Sequence, residues 1–390
     1  MSLALDLLKR LVKEGTLQVV MPDGKEHNFG SGEPSVSWFI RKKGALGKIA
    51  RNPFLNLGET YIDQQWDVQD NRLTDLLTVL RSNVESSFSV RSPLFFIPAL
   101  IQSWNNISVS LSNVAHHYDI DERLFKSFLD ADMHYSCAYF PDPDMSLENA
   151  QQAKCEHIAK KLCLKPNAKV LDIGSGWGSL AMHLAENYDV SVTGITLSIE
   201  QLRVAEERVA ERNLGNRVKF ELQDYREHEG TYDGIVSVGM FEHVGKHNFL
   251  TYFKKVKSLL SEDGLALIHT IGSHAPPTAT NPWIRKHIFP GGYIPSLSEV
   301  SKAIEKSGLI PGDIEVWRRH YASTLEEWNR RFQSVREEFV QSHGEKFCRI
   351  WEFYLCASQT AFELATLLVF QLQLGHRNDS APLTRNYVYE

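Results

Sequence analysis

The chain has 390 residues, enough for two domains at roughly 150 residues each. Hydrophobic residues make up 43% and charged residues 23%, a balance that supports a buried core and excludes wholesale disorder. The net charge is −6, so the average composition gives a nucleic-acid partner no electrostatic support.

At the N-terminus, Leu3, Leu7, Leu8 and Leu11 fall at helical spacing, with charges from Asp6 onward. That pattern predicts an amphipathic helix and not a signal peptide. Turn signals follow at 22–24, 30–34 and 52–58, and residues 1–101 are expected to form a small, mostly helical N-terminal domain. The longest apolar run, Leu94 to Ile101, is broken by Pro98 and falls far short of the roughly 20 residues that span a bilayer. Residues 102–115 are polar and predict a linker, which leaves 116–390 as the second domain. The five cysteines (Cys137, Cys155, Cys163, Cys348 and Cys356) make an odd count without a C-x-x-C pair. Such usage speaks against a zinc knuckle or a disulfide frame and fits a reducing cytoplasm. His116-His117 has no third ligand at suitable spacing, so no metal is expected.

Strand-like runs at 168–173, 189–196, 217–223, 232–239, 265–272 and 313–319 follow, with helix-like segments between the first five. This alternation predicts right-handed βαβ units and a doubly wound, parallel α/β sheet, whose ligands lie beyond the carboxyl ends of the strands. Residues 273–297 break the rhythm with five prolines and with Trp283, Phe289 and Tyr293, as a lid or binding loop does. Residues 350–374 are expected to form one long helix rich in aromatics and leucine.

Asp172-Ile173-Gly174-Ser175-Gly176-Trp177-Gly178 follows the first of these strands and opens a helix. Glycines there permit a tight turn and a close approach of backbone to ligand. A dinucleotide fingerprint needs a third glycine one place later and an acid about twenty residues on. The second strand ends instead in Gly194, Ile195 and Thr196, which disfavours NAD. D-x-G-x-G-x-G resembles the first motif of S-adenosylmethionine methyltransferases, in which the turn packs against the amino-acid half of the cofactor.

Around this loop lie HHYDID (116–121), MHYSCAYF (133–140), the 171–201 segment, VSVGMFEHVG (236–245), LIHTIGS (267–273) and IFPGGYIPS (288–296). In this order they resemble the cyclopropane-fatty-acid synthase family, which includes the mycolic acid cyclopropane synthases. LNLGETYIDQQWD (55–67) resembles the N-terminal domain of its full-length bacterial members. The resemblance implies a class I S-adenosylmethionine methyltransferase fold, Rossmann-like and doubly wound, with helical lid insertions. It also implies methylene transfer from S-adenosylmethionine to a cis double bond of an unsaturated phospholipid in the membrane, with bound bicarbonate as the base. By the same resemblance, Tyr135, Ser136, Asp172, Gly174, Gly176, Thr196 and Gln201 touch the cofactor, and Gln223, Asp224 and Tyr225 fall near its adenine. Cys137, Glu242, His269, the Ile271 backbone and Tyr321 correspond to the bicarbonate ligands. A cytoplasmic enzyme, peripherally bound to the membrane as a homodimer, is the implied setting.

Two departures stand out. Ser175 replaces a cysteine common in relatives, and Ser358 replaces a cysteine of the C-terminal helix once assigned a nucleophilic role. Cys356 lies about 200° round a helix from that position and is a poor substitute.

An alkene attacks through its π electrons, so the site must align and approach more than activate. The resulting cation calls for a dry site with aromatic faces. Tyr135, Tyr139, Phe140, Trp283, Phe289 and Tyr293 either form that lining or pack beneath the loops. Membrane contact is expected from the N-terminal helix, from Arg41-Lys42-Lys43 to Lys48, or from Leu94-Phe95-Phe96-Ile97. Plant coclaurine-type N-methyltransferases share several of the motifs, and an amine substrate is the rival reading, together with a methyl-branched or methylene lipid product.

Overall fold

The computed structural model describes residues 3–87, 122–364 and 367–389. Leu94–Ile97, the 102–115 linker and the 116–121 motif with His116-His117 lie outside the described residues. In chain order the first elements are α1 (Leu3–Leu11), β1 (Glu14–Val20), β2 (Glu26–Ile40), α2 (Ala45–Arg51), α3 (Pro53–Ile62), β3 (Trp66–Val68) and α4 (Leu73–Ser87). There follow α5 (Glu122–Phe128), α6 (Leu147–Leu162), β4 (Ala168–Ile173), α7 (Ser179–Asn187), β5 (Val190–Thr196), α8 (Ile199–Glu211), β6 (Val218–Leu222) and β7 (Tyr232–Val238). The remainder comprises α9 (Phe249–Leu259), β8 (Leu260–Ser273), α10 (Pro282–His287), α11 (Leu297–Ser307), β9 (Ile310–Trp317), α12 (His320–His343), α13 (Glu345–Leu364), β10 (Leu367–Gly375) and α14 (Asn386–Tyr389).

Two compact units interleave along the chain. One takes the N-terminal residues together with 280–290 and 322–364; the other takes 122–279, 291–321 and 367–389. The first unit thus draws on segments well beyond the N-terminal hundred residues.

In the first unit, β1, β2 and β3 form an antiparallel sheet that the turn signals alone did not reveal. Its core is aromatic: Trp66 meets Trp38 edge-on at 5.5 Å and Tyr61 at 4.7 Å. Two of the polar groups buried there are matched. Tyr61 Oη donates to Glu352 Oε2 at 2.7 Å, and the Arg349 guanidinium lies 4.6 Å over the Tyr61 ring while donating to Tyr61 O.

The second unit carries a seven-stranded sheet in the order β6-β5-β4-β7-β8-β10-β9. The strands from β6 to β8 are parallel, as the βαβ rhythm requires, and β10 runs antiparallel to both its neighbours. Period-two alternation divides the core. Leu171, Ile235 and Ile268 face α9 and α11, whereas Val170, Val236 and Leu267 face α6, α7 and α8.

The expectation of one helix over 350–374 is corrected. Helix α13 ends at Leu364, and 367–375 is β10, inserted between β8 and β9. Nearly every residue of β10 is buried, so the run shows no polar face by which a strand could be told from a buried helix.

Packing of β10 on β8 is tight at Gly272, where a Cβ would land inside the Phe370 ring. Gly272→Ala is expected to destabilise the protein by about 1–3 kcal/mol. Gly215→Ala, with no atom within 4 Å of its Cβ, is the control and is expected to leave stability unchanged or slightly raised. Urea unfolding of the two variants checks this.

Candidate active site

The glycine turn is held by β5: the N–H groups of Gly174 and Ser175 both donate to Ile195 O, at 2.9 and 3.0 Å. Gly176 has φ +55°, a left-handed conformation, and no atom lies within 4 Å of where its Cβ would stand. Gly239, at the carboxyl end of β7, has φ +70° and the same open space. A small ligand can therefore approach the backbone at the carboxyl ends of two adjacent strands. Asp172 closes β4, is buried, and burial pushes its carboxyl up to about 7.

The neighbouring turns are equally ordered. Thr196 Oγ1 donates to Gln201 Oε1 at 2.9 Å, and Ser198 caps α8 by accepting from Gln201 N–H. The Gln223 amide oxygen meets His228 Nδ1 at 2.5 Å, and the Asp224 carboxylate is taken by Arg226 at 2.6 and 2.7 Å. Tyr225 is buried edge-on to Tyr252, and its hydroxyl has no partner among the described residues. Tyr135 lies among Phe125 and Phe128, and Phe125 also meets Trp177 of the glycine turn. Ser136 is buried, with its Oγ accepting from Lys154 Nζ at 2.9 Å.

A second cluster lies where β7 and β8 end. Gly239 N–H donates to His269 O at 2.9 Å, and the 3-10 turn Phe241–His243 then carries Glu242 back to β8. Glu242 Oε1 accepts from Ile271 N–H at 2.5 Å, while its buried Oε2 has no partner among the described residues. Burial pushes this carboxyl up to about 7, so it can carry a proton near neutrality. The structure engages the Ile271 amide with Glu242, which modifies its expected part as an anion donor.

His269 is buried, and burial depresses its pKa to about 3, so the ring is neutral. Gln371, its partner in register on β10, donates from Nε2 to His269 Nδ1 at 3.2 Å. This orientation strands only the Gln371 carbonyl oxygen, whereas the flipped amide would strand an NH₂ group. In this orientation Nδ1 accepts, and the His269 proton is assigned to Nε2. Sequence pattern does not single out Gln371, because its role exists only through strand pairing.

Cys137 is buried, with its thiol donating to Ala138 O at 3.3 Å, and Tyr321 is buried at the start of α12. The segments carrying them are joined. Phe140 N–H donates to His320 Nδ1 at 3.1 Å, and Tyr139 stacks on Trp317 at 4.8 Å. Trp317 in turn meets His269 edge-on at 5.1 Å.

The aromatic residues of the 273–297 insert pack. Trp283 is buried against Phe353 at 4.6 Å and occupies the space a Cβ on Gly58 would need. Phe289 meets Tyr354, and Tyr293 donates its hydroxyl to Glu299 at 2.9 Å. Cys356 is buried with its thiol pushed up to about 12, so it supplies no thiolate.

A mostly parallel seven-stranded sheet with this glycine turn defines a class I S-adenosylmethionine-dependent methyltransferase. Residues 106–372 match the model of the mycolic acid cyclopropane synthetase family, and residues 5–92 match a domain of unknown function. The cyclopropane-fatty-acyl-phospholipid synthase of Escherichia coli K12 is 39% identical over 328 residues, 83% of this chain and 84% of that enzyme. The tuberculostearic acid methyltransferase of Mycobacterium tuberculosis is 35% identical over 394 residues, 96% of this chain and 91% of that one. A crystal structure of a mycolic acid cyclopropane synthase complexed with SAH and CTAB gives a TM-score of 0.64 at 32% identity, over 68% of this chain and 97% of that one. The chain belongs to the mycolic acid cyclopropane synthetase family.

The raised carboxyl at Glu242 has a consequence for stability. Its contribution is full below the ordinary value of 4.5 and is lost as pH rises through about 7. Glu242→Gln is therefore expected to stabilise the ligand-free protein at pH 8 by up to about 3 kcal/mol, a difference that shrinks towards pH 5. The comparison must be with the variant, because His134, His243 and His269, whose pKa values desolvation lowers, lose stability as pH falls below 6.5. Equal differences at pH 8 and pH 5 in urea unfolding would reject the raised carboxyl.

Proposed function

We propose that the chain is a cyclopropane-fatty-acyl-phospholipid synthase, transferring a methylene from S-adenosylmethionine to the cis double bond of an unsaturated phospholipid. The observation that carries this reading is the buried pair Glu242 and His269, a carboxyl oxygen unpartnered among the described residues and a neutral imidazole at one strand end. An amine substrate deprotonates in water without such a pair, whereas a cation on an acyl chain must lose its proton within the dry site.

S-adenosylmethionine, when bound, supplies an electrophilic methyl group. Tyr135, Ser136, Asp172, Gly174 and Gly176 would hold its amino-acid half, with Thr196 and Gln201 beside the ribose and Gln223, Asp224 and Tyr225 around the adenine. The open space at Gly176 and Gly239 fits such an occupant. Bicarbonate, held by His269, Glu242, Tyr321 and Cys137, would supply the base that accepts the proton. His269 donates from Nε2 because Gln371 occupies its other nitrogen. Glu242 ties the Ile271 backbone and, when protonated, donates from Oε2. No thiolate nucleophile enters this scheme, consistent with Ser358 and with the buried thiol of Cys356.

No helix among the described residues is long and apolar enough to cross a membrane. By the family resemblance, we assign substrate access to peripheral contact from the cytoplasmic side. In the first unit Leu3 is 88% and Phe54 47% exposed, and Arg41, Lys42 and Lys43 are exposed too, an apolar and cationic combination that suits an anionic lipid surface. A homodimer would double that contact.

The test presents unsaturated phospholipid vesicles and S-adenosylmethionine to the purified enzyme, with and without bicarbonate. Mass spectrometry is expected to show acyl chains heavier by one CH₂, and proton NMR the high-field ring methylene of a cyclopropane. Turnover is expected to fall when bicarbonate is removed. A methylene or methyl-branched signal would transfer the assignment to the other lipid product, and unchanged lipids would favour an amine. In the same assay Glu242→Gln is expected to lose turnover by about 100-fold or more while cofactor affinity changes less than about threefold. Equal losses of both would reject its role.

A further inference from the structure

Helix α6 carries two buried lysines, and they differ in one respect. Lys161, fully buried, has the Glu315 carboxylate at 2.5 Å and Asp313 at 3.3 Å. Lys154 is 1% exposed and donates only to neutral oxygens, Gln151 Oε1 at 2.7 Å and Ser136 Oγ at 2.9 Å. Among the described residues no carboxylate forms an ion pair with it. Asp130, on the preceding loop, is hydrogen-bonded at 2.8 Å by His134, whose ring burial keeps neutral, and acts on Lys154 through its charge without forming an ion pair. Asp172 also acts on Lys154 through its charge, without an ion pair. A buried ammonium without a counter-ion is costly, and is retained where an anion completes it.

The place of that ammonium indicates the anion. Ser136 sits in the Tyr135-Ser136-Cys137 loop, fixed by Gln151 Nε2, which donates to Ser136 O at 3.0 Å. Because the Ser136 oxygen accepts from Lys154, its own proton is left for an acceptor. Asp172, from which the glycine turn begins, lies near enough for its charge and that of Lys154 to interact. This is the region to which the amino-acid half of the cofactor is assigned above, and the inference rests on that assignment.

We propose that Lys154 is the counter-charge for the cofactor's α-carboxylate, a positioning residue that acts through the Ser136 hydroxyl. The carboxylate accepts the Ser136 proton in a hydrogen bond, and Lys154 strengthens that bond by donating to the same oxygen. No covalent bond changes. The arrangement selects ligands that carry the anionic amino-acid arm over those that end at the thioether.

Calorimetric titration with S-adenosylhomocysteine and with 5′-methylthioadenosine, which lacks that arm, tests the proposal. Lys154→Met is expected to weaken S-adenosylhomocysteine by about 10- to 100-fold and methylthioadenosine by less than about threefold. The ligand-free variant should melt no lower than the wild type, since a buried charge without an ion-pair partner has been removed, whereas Lys161→Met, which removes the buried cation shared by Glu315 and Asp313, should melt lower. Ser136→Ala is expected to show the same ligand selectivity, and carries the test alone if Lys154→Met does not fold. Equal losses for both ligands, or an unchanged S-adenosylhomocysteine affinity, would overturn the proposal. A wild-type protein that binds neither ligand would instead remove the cofactor-site assignment beneath it.

Discussion

Parallel pairing of β7 with β8 is the constraint on which the site depends. The register sets Val238 against His269, and the Gly239 amide extends the ladder by one bond to His269 O. Beyond that bond the chain must turn, and it turns within the few residues that bring Glu242 against the Ile271 amide. His269 and Ile271 are two apart on one strand and share a face, so a single register places both. The antiparallel addition of β10 then brings Gln371 opposite His269 and fixes which imidazole nitrogen holds the proton.

The second organising feature is charge held out of water. Glu242 and Asp172 are buried where ionisation is disfavoured, and Lys154 is buried without a carboxylate partner. Each of these costs folding stability; the two acids lie at the strand ends where ligands of such sheets are found, and Lys154 reaches from α6 to the Ser136 loop. Elsewhere buried charges are paired, as Lys161 with Glu315 or Arg349 with Glu345. The contrast separates groups that hold the fold together from groups that await a ligand.

In the first unit the buried carboxylate Glu352 is paired. The unit's aromatic core of Trp38, Tyr61 and Trp66 is joined by Glu352, which accepts from Tyr61 and from Gln333. Lys286 and His287 of α10 both meet Glu59 of α3. Residues of α10 and α13 therefore serve this unit although the chain reaches them only after the sheet of the other unit has begun.

The sequence by itself determined the features that depend on neighbours in the chain. The glycine turn after β4 was legible because left-handed backbone at Gly174 and Gly176 demands glycine there, and the βαβ rhythm because its periodicities are local. His269, Glu242 and Cys137 were legible through motif resemblance alone; their spacing carries no chemistry. Tertiary structure decided the rest. β10 has no polar face because sheet neighbours and helices cover it, so its local pattern could not distinguish strand from helix. The protonation of Glu242, the tautomer of His269 and the isolation of Lys154 arise from burial and from partners many residues away. Desolvation and strand register are properties of the folded chain, and no local window of sequence contains them.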